Sequence, residues 1–157
     1  LGYHIAHLAE KLRYDSCVAS KITIIMRASR FGPFAYREGS ASVLLPNPTN
    51  DTFALTAEVS RLINQLYDIE IPYKQAGVIL SSIEPEGNTT SSLFKDSLQI
   101  EKMEKLNDVN DAINSKFGSA TIRQAVTMGG EKWKERKNLK SPEYTTQWSE
   151  IACIKAT

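Results

Sequence analysis

The chain has 157 residues, 41% of them hydrophobic and 24% charged, and its 19 Lys and Arg against 18 Asp and Glu leave a formal net charge of +1. That length supports one globular domain, or one domain with a tail, without a disulfide or metal staple, and the composition excludes collagen and wholesale disorder. The near-neutral total argues against a protein held on nucleic acid by bulk charge, but the charge is uneven: six basic and three acidic residues in 1–50, seven and eleven in 51–129, six and four in 130–157.

In chain order, residues 3–13 place Ile5, Leu8, Ala9 and Leu12 at helical spacing, with Lys11 and Arg13 where cations suit the helix dipole. This predicts a short amphipathic helix. From Lys21 to Ser29 the period becomes two: Ile22, Ile24, Met26 and Ala28 share one face, and Lys21, Thr23, Ile25, Arg27 and Ser29 the other. Arg30 to Phe34 reads as a turn, and Ser40 to Leu45 as a second strand ended by Pro46 and Pro48. Thr49, Asn50 and Asp51 offer capping oxygens before the stripe Leu55, Val59, Leu62, Ile63 and Leu66, so 52–67 should be helical. Tyr73 to Ile83 reads as a third strand closed by Glu84-Pro85-Glu86-Gly87-Asn88.

Thr89 to Asp96 is polar except for Leu93 and Phe94. Residues 98–117 form a second long helix whose stripe of Met103, Leu106, Val109, Ile113 and Phe117 is expected to be core, with Gly118 as its stop. Ala120 to Met128 alternates and predicts a fourth strand. Residues 129–157 have no trustworthy period. The expected fold is therefore α+β: a four-stranded, mostly antiparallel sheet with two helices on one face, a short N-terminal helix and an irregular C-terminal tail. The other sheet face would carry Lys21, Thr23, Arg27 and Arg123.

Candidate chemistry is sparse. His4 and His7 lack a third metal ligand at usable spacing. Glu101, Glu104, Asp108 and Asp111 read as solvated helix charges, and no motif for nucleophilic or nucleotide chemistry occurs. Lys21, Thr23, Arg27, Ser29 and Arg30 share one strand face and the turn after it, which suits phosphate contacts. In the tail, Lys132, Lys134 and Arg136 interleave with Trp133 and precede Trp148, a pattern that fits either a phosphate backbone or anchorage of the tail by its two Trp. No apolar run approaches the roughly 20 residues needed to cross a bilayer. The opening Leu1-Gly2-Tyr3-His4 reads as part of a longer protein, and the isolated Cys17 and Cys153 suit a reducing cytoplasm.

Several words in order resemble the C-terminal region of the UmuC-type Y-family translesion DNA polymerases: Ala9-Glu10-Lys11-Leu12-Arg13, Leu45-Pro46-Asn47-Pro48-Thr49-Asn50-Asp51-Thr52, Tyr73-Lys74-Gln75-Ala76-Gly77-Val78-Ile79-Leu80, Asp108-Val109-Asn110-Asp111-Ala112-Ile113-Asn114, and Ser141-Pro142-Glu143-Tyr144-Thr145-Thr146-Gln147-Trp148. The resemblance implies a DNA-gripping little-finger domain over 1–128 and a UmuC-type C-terminal extension over 129–157. It further implies a sliding-clamp contact at Leu93 and Phe94, with Thr90 where the family's peptide has Gln. Implied partners are damaged primer-template DNA, the clamp, a UmuD′-like subunit and RecA. Catalytic carboxylates and the Mg they hold would belong to the rest of the polymerase, so no catalytic residue, metal site or cofactor is expected in this fragment. The rival reading is a protein-interaction module for the clamp or a UmuD′-type partner, with no DNA binding of its own.

Overall fold

The computed structural model describes residues 1–31, 36–88, 97–118, 120–128 and 149. Helix α1 spans Gly2–Tyr14, strand β1 Cys17–Ala28, strand β2 Glu38–Thr49, helix α2 Thr52–Leu66, strand β3 Tyr73–Pro85 and helix α3 Ser97–Phe117. The strands form an antiparallel sheet in the order β2-β1-β3. β1 is therefore central, which is why it carries the most apolar inward face.

α1 and α2 pack together and against the inner face of the sheet. Ile5, Ala9 and Leu12 of α1 meet Leu55, Val59 and Leu62 of α2 over Ile22 and Ile24 of β1, and all eight are buried. Apolar burial of this kind contributes on the order of 1.5–3 kcal/mol per large side chain. α2 starts where its cap predicts: the Asp51 carboxylate accepts from the backbone N–H groups of Phe53 at 3.2 Å and Ala54 at 3.0 Å.

β2 runs beyond Leu45, where the prolines were expected to end it. Lys21 faces Leu44 but Ala19 faces Thr49, so an irregularity between these pairs takes up Leu45-Pro46-Asn47-Pro48. An edge strand tolerates this, because a proline there need not donate to a neighbour.

Two expectations need correction. The first concerns the fourth strand: among the described residues the sheet has three strands, and the segment after α3 is a turn followed by a 3-10 helix at Ala125–Thr127. Asn114 explains why. Its side-chain amide donates to the Ile122 carbonyl at 3.1 Å and accepts from the Ile122 N–H at 2.9 Å. Both backbone groups that a strand neighbour would pair are thereby taken, and Ala120 at φ 65° turns the chain just before them. The alternation of Ile122, Val126 and Met128 consequently buries little, and all three are exposed.

The second concerns α3. It ends at Gly118 as expected, with φ at 107° and the Gly118 N–H donating to the Asn114 carbonyl at 3.0 Å. Its apolar stripe is not core, however: Leu106 is 45% exposed, Val109 57% and Phe117 67%. α1, the short helix, fills the place on the sheet that the stripe would have needed. α3 is held through polar side chains instead. The Arg13 guanidinium forks onto Asp111 at 2.6 and 2.7 Å while also donating to the Asn50 carbonyl and the Thr52 hydroxyl, and Asn107, almost fully buried, donates to Asp51 at 2.9 Å. Asp111, expected to be a solvated charge, is thus a structural anchor.

Candidate nucleic-acid interface

Side chains directly opposed across antiparallel strands point to the same face, so the register defines the outer surface of the sheet. Across β2, β1 and β3 its rows read Leu44-Lys21-Ser81, Ser42-Thr23-Ile79, Ser40-Ile25-Gly77 and Glu38-Arg27-Gln75. Glu38, Ser40, Ser42 and Leu44 are exposed, while Lys21, Thr23 and Ile25 are half-buried. The middle of this face is built from Ser, Thr, Ile and Gly. At Gly77 a Cβ would meet nothing within 4 Å, so the glycine leaves open space there. A sheet that presents small hydroxyls and open backbone admits close approach by another backbone.

Cations stand at both ends. Lys21 lies at one, and Arg27 lies six residues along the strand, a separation of about 20 Å. Beyond Arg27 the strand ends and the turn begin to converge: Arg27, Ser29, Arg30, Tyr36, Lys74 and Gln75 line one open depression. The Arg30 guanidinium sits 4.8 Å from the Tyr36 ring centroid, a cation–π arrangement that orders an otherwise flexible side chain.

Arg27 is not equivalent to the others. Its guanidinium donates to Glu38 at 2.7 Å, directly across the strand pair, and the Tyr36 hydroxyl donates to the same carboxylate at 2.6 Å. The Tyr36 hydrogen bond first, and the Arg27 hydrogen bond after it, hold the Glu38 carboxyl below the ordinary carboxylate range. Glu38 is therefore an anion near neutral pH and offsets the Arg27 charge where a phosphate would be met.

The structure thus brings Arg27, Ser29 and Arg30 together, puts Thr23 on the same face between them and Lys21, and sets Lys21 apart at the far end. Ser40, Ser42, Gln75 and Ser81 share this face and Tyr36 and Lys74 its far end, although nothing local in the sequence singles them out. Only the register shows that Ser40, Ser42, Gln75 and Ser81 join this face, whereas Tyr36, which precedes β2, and Lys74, which the register steps over, are placed by the depression they line. Leu93, Phe94, Lys132, Trp133, Lys134, Arg136 and Trp148 lie outside the described residues. Among the described residues, no three or more His, Cys, Asp and Glu side chains gather as a metal site requires, and no helix is long and apolar enough to cross a membrane.

Comparison with known proteins gives two family matches. The impB/mucB/samB family C-terminal domain matches residues 1–93, and a domain of unknown function (DUF4113) matches residues 104–154. Among curated proteins, the chain is 29% identical to Protein UmuC of Salmonella typhimurium strain LT2 over 97% of its own length and 36% of that protein. It is 32% identical to Protein SamB of Salmonella typhimurium over 98% of its length and 36% of SamB, and 30% identical to Protein ImpB of the same species over 91% and 34%. The chain spans about a third of the length of these relatives.

Proposed function

Because the chain belongs to the impB/mucB/samB family, as the C-terminal region of a UmuC-like Y-family polymerase, we propose that it grips primer-template DNA with the outer face of the β2-β1-β3 sheet during translesion synthesis. One observation carries the reading: cations at both ends of a strand face whose middle mixes Ser and Thr hydroxyls with Ile25 and Ile79 and is left open at Gly77. The major groove of B-DNA is about 12 Å wide, so ends about 20 Å apart reach phosphates on both of its sides. Lys21 takes one side, and Arg30 with Lys74 takes the other. The hydroxyls of Thr23, Ser40, Ser42 and Ser81 face the groove between them. Such contacts position the protein without reading sequence, which is what a polymerase moving over any template requires.

In this reading nucleotide addition and its Mg belong to the remainder of the protein. A sliding-clamp contact through Leu93 and Phe94, and contacts of the whole protein with a UmuD′-like subunit and RecA, form part of the same proposal. So does its cytoplasmic setting.

Glu38 provides a test that runs opposite to ordinary loss of function. It lies on the proposed DNA face and occupies Arg27. Glu38→Gln removes the negative charge and leaves Arg27 free for a phosphate, so duplex affinity should rise and the salt slope steepen by about 0.9, one phosphate contact. Anisotropy titrations of both proteins at several salt concentrations measure this. Equal or weaker binding by the Gln variant would remove this end of the face from the interface.

A further inference from the structure

Tyr36 uses both parts of its side chain at the Arg27 end of the sheet face. Backbone pairing continues past the first residue of β2, since the Ala28 N–H donates to the Arg37 carbonyl at 2.8 Å. Tyr36 thereby comes beside the end of β1, where it lines a depression with Arg27, Ala28 and Ser29. Its ring centroid lies 4.8 Å from the Arg30 guanidinium, and its hydroxyl donates to one Glu38 carboxylate oxygen at 2.6 Å. The other oxygen of that carboxylate accepts from Arg27 at 2.7 Å. A Phe would supply the ring alone, and a Ser the hydroxyl alone.

Two neighbouring arginines are treated oppositely as a result. Arg27, Arg30 and Lys74 line the same depression, so three like charges gather at one end of the face, and Glu38 offsets one of them. The hydroxyl on one carboxylate oxygen fixes the carboxylate so that the other oxygen is turned to Arg27. Arg30 rests instead on an aromatic face, which attracts a cation without neutralising its charge, and so keeps that charge for an incoming phosphate. The groups around Glu38 that carry charge or titrate are Arg27 from β1, Arg30 and Arg37 from the connection, and Asp68, Tyr67 and Tyr73, which border a second depression with it. Among these influences and its own hydrogen bonds, the Tyr36 hydroxyl does most to hold the Glu38 carboxyl below the ordinary carboxylate range.

Resting on the DNA-gripping reading above, we propose that Tyr36 is a positioning residue for this end of the interface. Its ring holds the Arg30 guanidinium ready for a phosphate, and its hydroxyl holds the Glu38 carboxylate onto Arg27, so that one side chain decides which of the two arginines engages DNA. The grip at this end is thereby limited to Arg30 and Lys74. Ring and hydroxyl act in opposite directions on affinity: the first strengthens binding by ordering a cation, and the second weakens it by keeping another cation occupied.

That opposition is testable by anisotropy titration of a labelled duplex, with circular dichroism confirming that each variant is folded. Tyr36→Phe keeps the ring and lets the carboxylate turn away from Arg27, so duplex affinity should rise about twofold, the effect of one exposed hydrogen bond. In a Glu38→Gln background Arg27 is already released, and the same substitution should change nothing. Tyr36→Leu in that background removes only the support of Arg30 and should weaken binding about two- to fivefold. A side chain with a merely structural role would not make its own trimming favourable, nor make the effect depend on Glu38. NMR titration of the Glu38 side-chain carboxyl needs no DNA, and its midpoint should move upward in Tyr36→Phe. Duplex binding indifferent to Tyr36→Phe, a change of equal size in both backgrounds, an unmoved Glu38 midpoint, or a Tyr36→Leu variant without effect would each overturn the proposal while the DNA reading stands. No duplex binding by the unmodified chain would overturn both.

Discussion

Alanine at Lys21, Arg30 and Lys74 together should leave a normally folded chain that binds duplex DNA about two orders of magnitude more weakly, with a salt slope flatter by about 2.7, since each phosphate contact contributes about 0.9. The three residues occupy both ends of the outer sheet face, and none contributes to the buried cluster. Arg27 is left in place because Glu38 already engages it. Binding should weaken equally on unrelated duplex sequences, as contacts to phosphate carry no base information. A slope that stays unchanged in the triple variant would mean that DNA, if bound, sits elsewhere.

The second large effect concerns stability. Arg13 is only 13% exposed and Asp111 27%, and the guanidinium makes two charge-assisted bonds to the carboxylate and two more to the α2 entrance. Arg13→Ala strands the Asp111 carboxylate, the Asn50 carbonyl and the Thr52 hydroxyl at once. Breaking one partner of a fully buried pair costs about 3–5 kcal/mol, and partial exposure brings the expectation here to about 2 kcal/mol. The loss should be local. Amides of α3 are expected to exchange faster while those of β1 stay protected, which distinguishes release of a helix from general weakening. Arg13→Lys should recover little, because an ammonium cannot make the two-pronged contact. An unaltered melting curve and unaltered α3 exchange in Arg13→Ala would show that α3 is held by something else.

The contrast between what the chain discloses and what it conceals follows from the range of the interactions. α2 could be placed to within a residue because its signals are local: Asp51 caps it and Leu55, Val59 and Leu62 follow at helical spacing. Gly118 likewise marks the end of α3. The central strand was readable because Ile22, Ile24 and Met26 alternate with Lys21, Thr23 and Arg27. What failed depends on partners distant in sequence. The salt bridge that turns α3 around joins residues 98 positions apart, and nothing near Val109 signals that its face is outermost. The alternation over 120–128 is genuine but has no strand to pair with, since Asn114 has taken the Ile122 backbone groups. The residues of the proposed interface were half legible. Lys21, Thr23, Arg27, Ser29 and Arg30 lie along one continuous stretch, whereas Gln75 joins them only through the β1–β3 register, Lys74 only through the depression it lines with Arg30, and the Glu38 contact that occupies Arg27 depends on the pairing of β1 with β2.

The most direct measurement is fluorescence anisotropy of a labelled primer-template duplex titrated with the unmodified chain at several salt concentrations. Binding that ignores base sequence and weakens steeply and log-linearly with salt is the predicted result, since it reports phosphates neutralised by a few fixed cations. Absence of binding at low salt, or binding indifferent to salt, would contradict the account and assign the sheet face a role other than holding DNA.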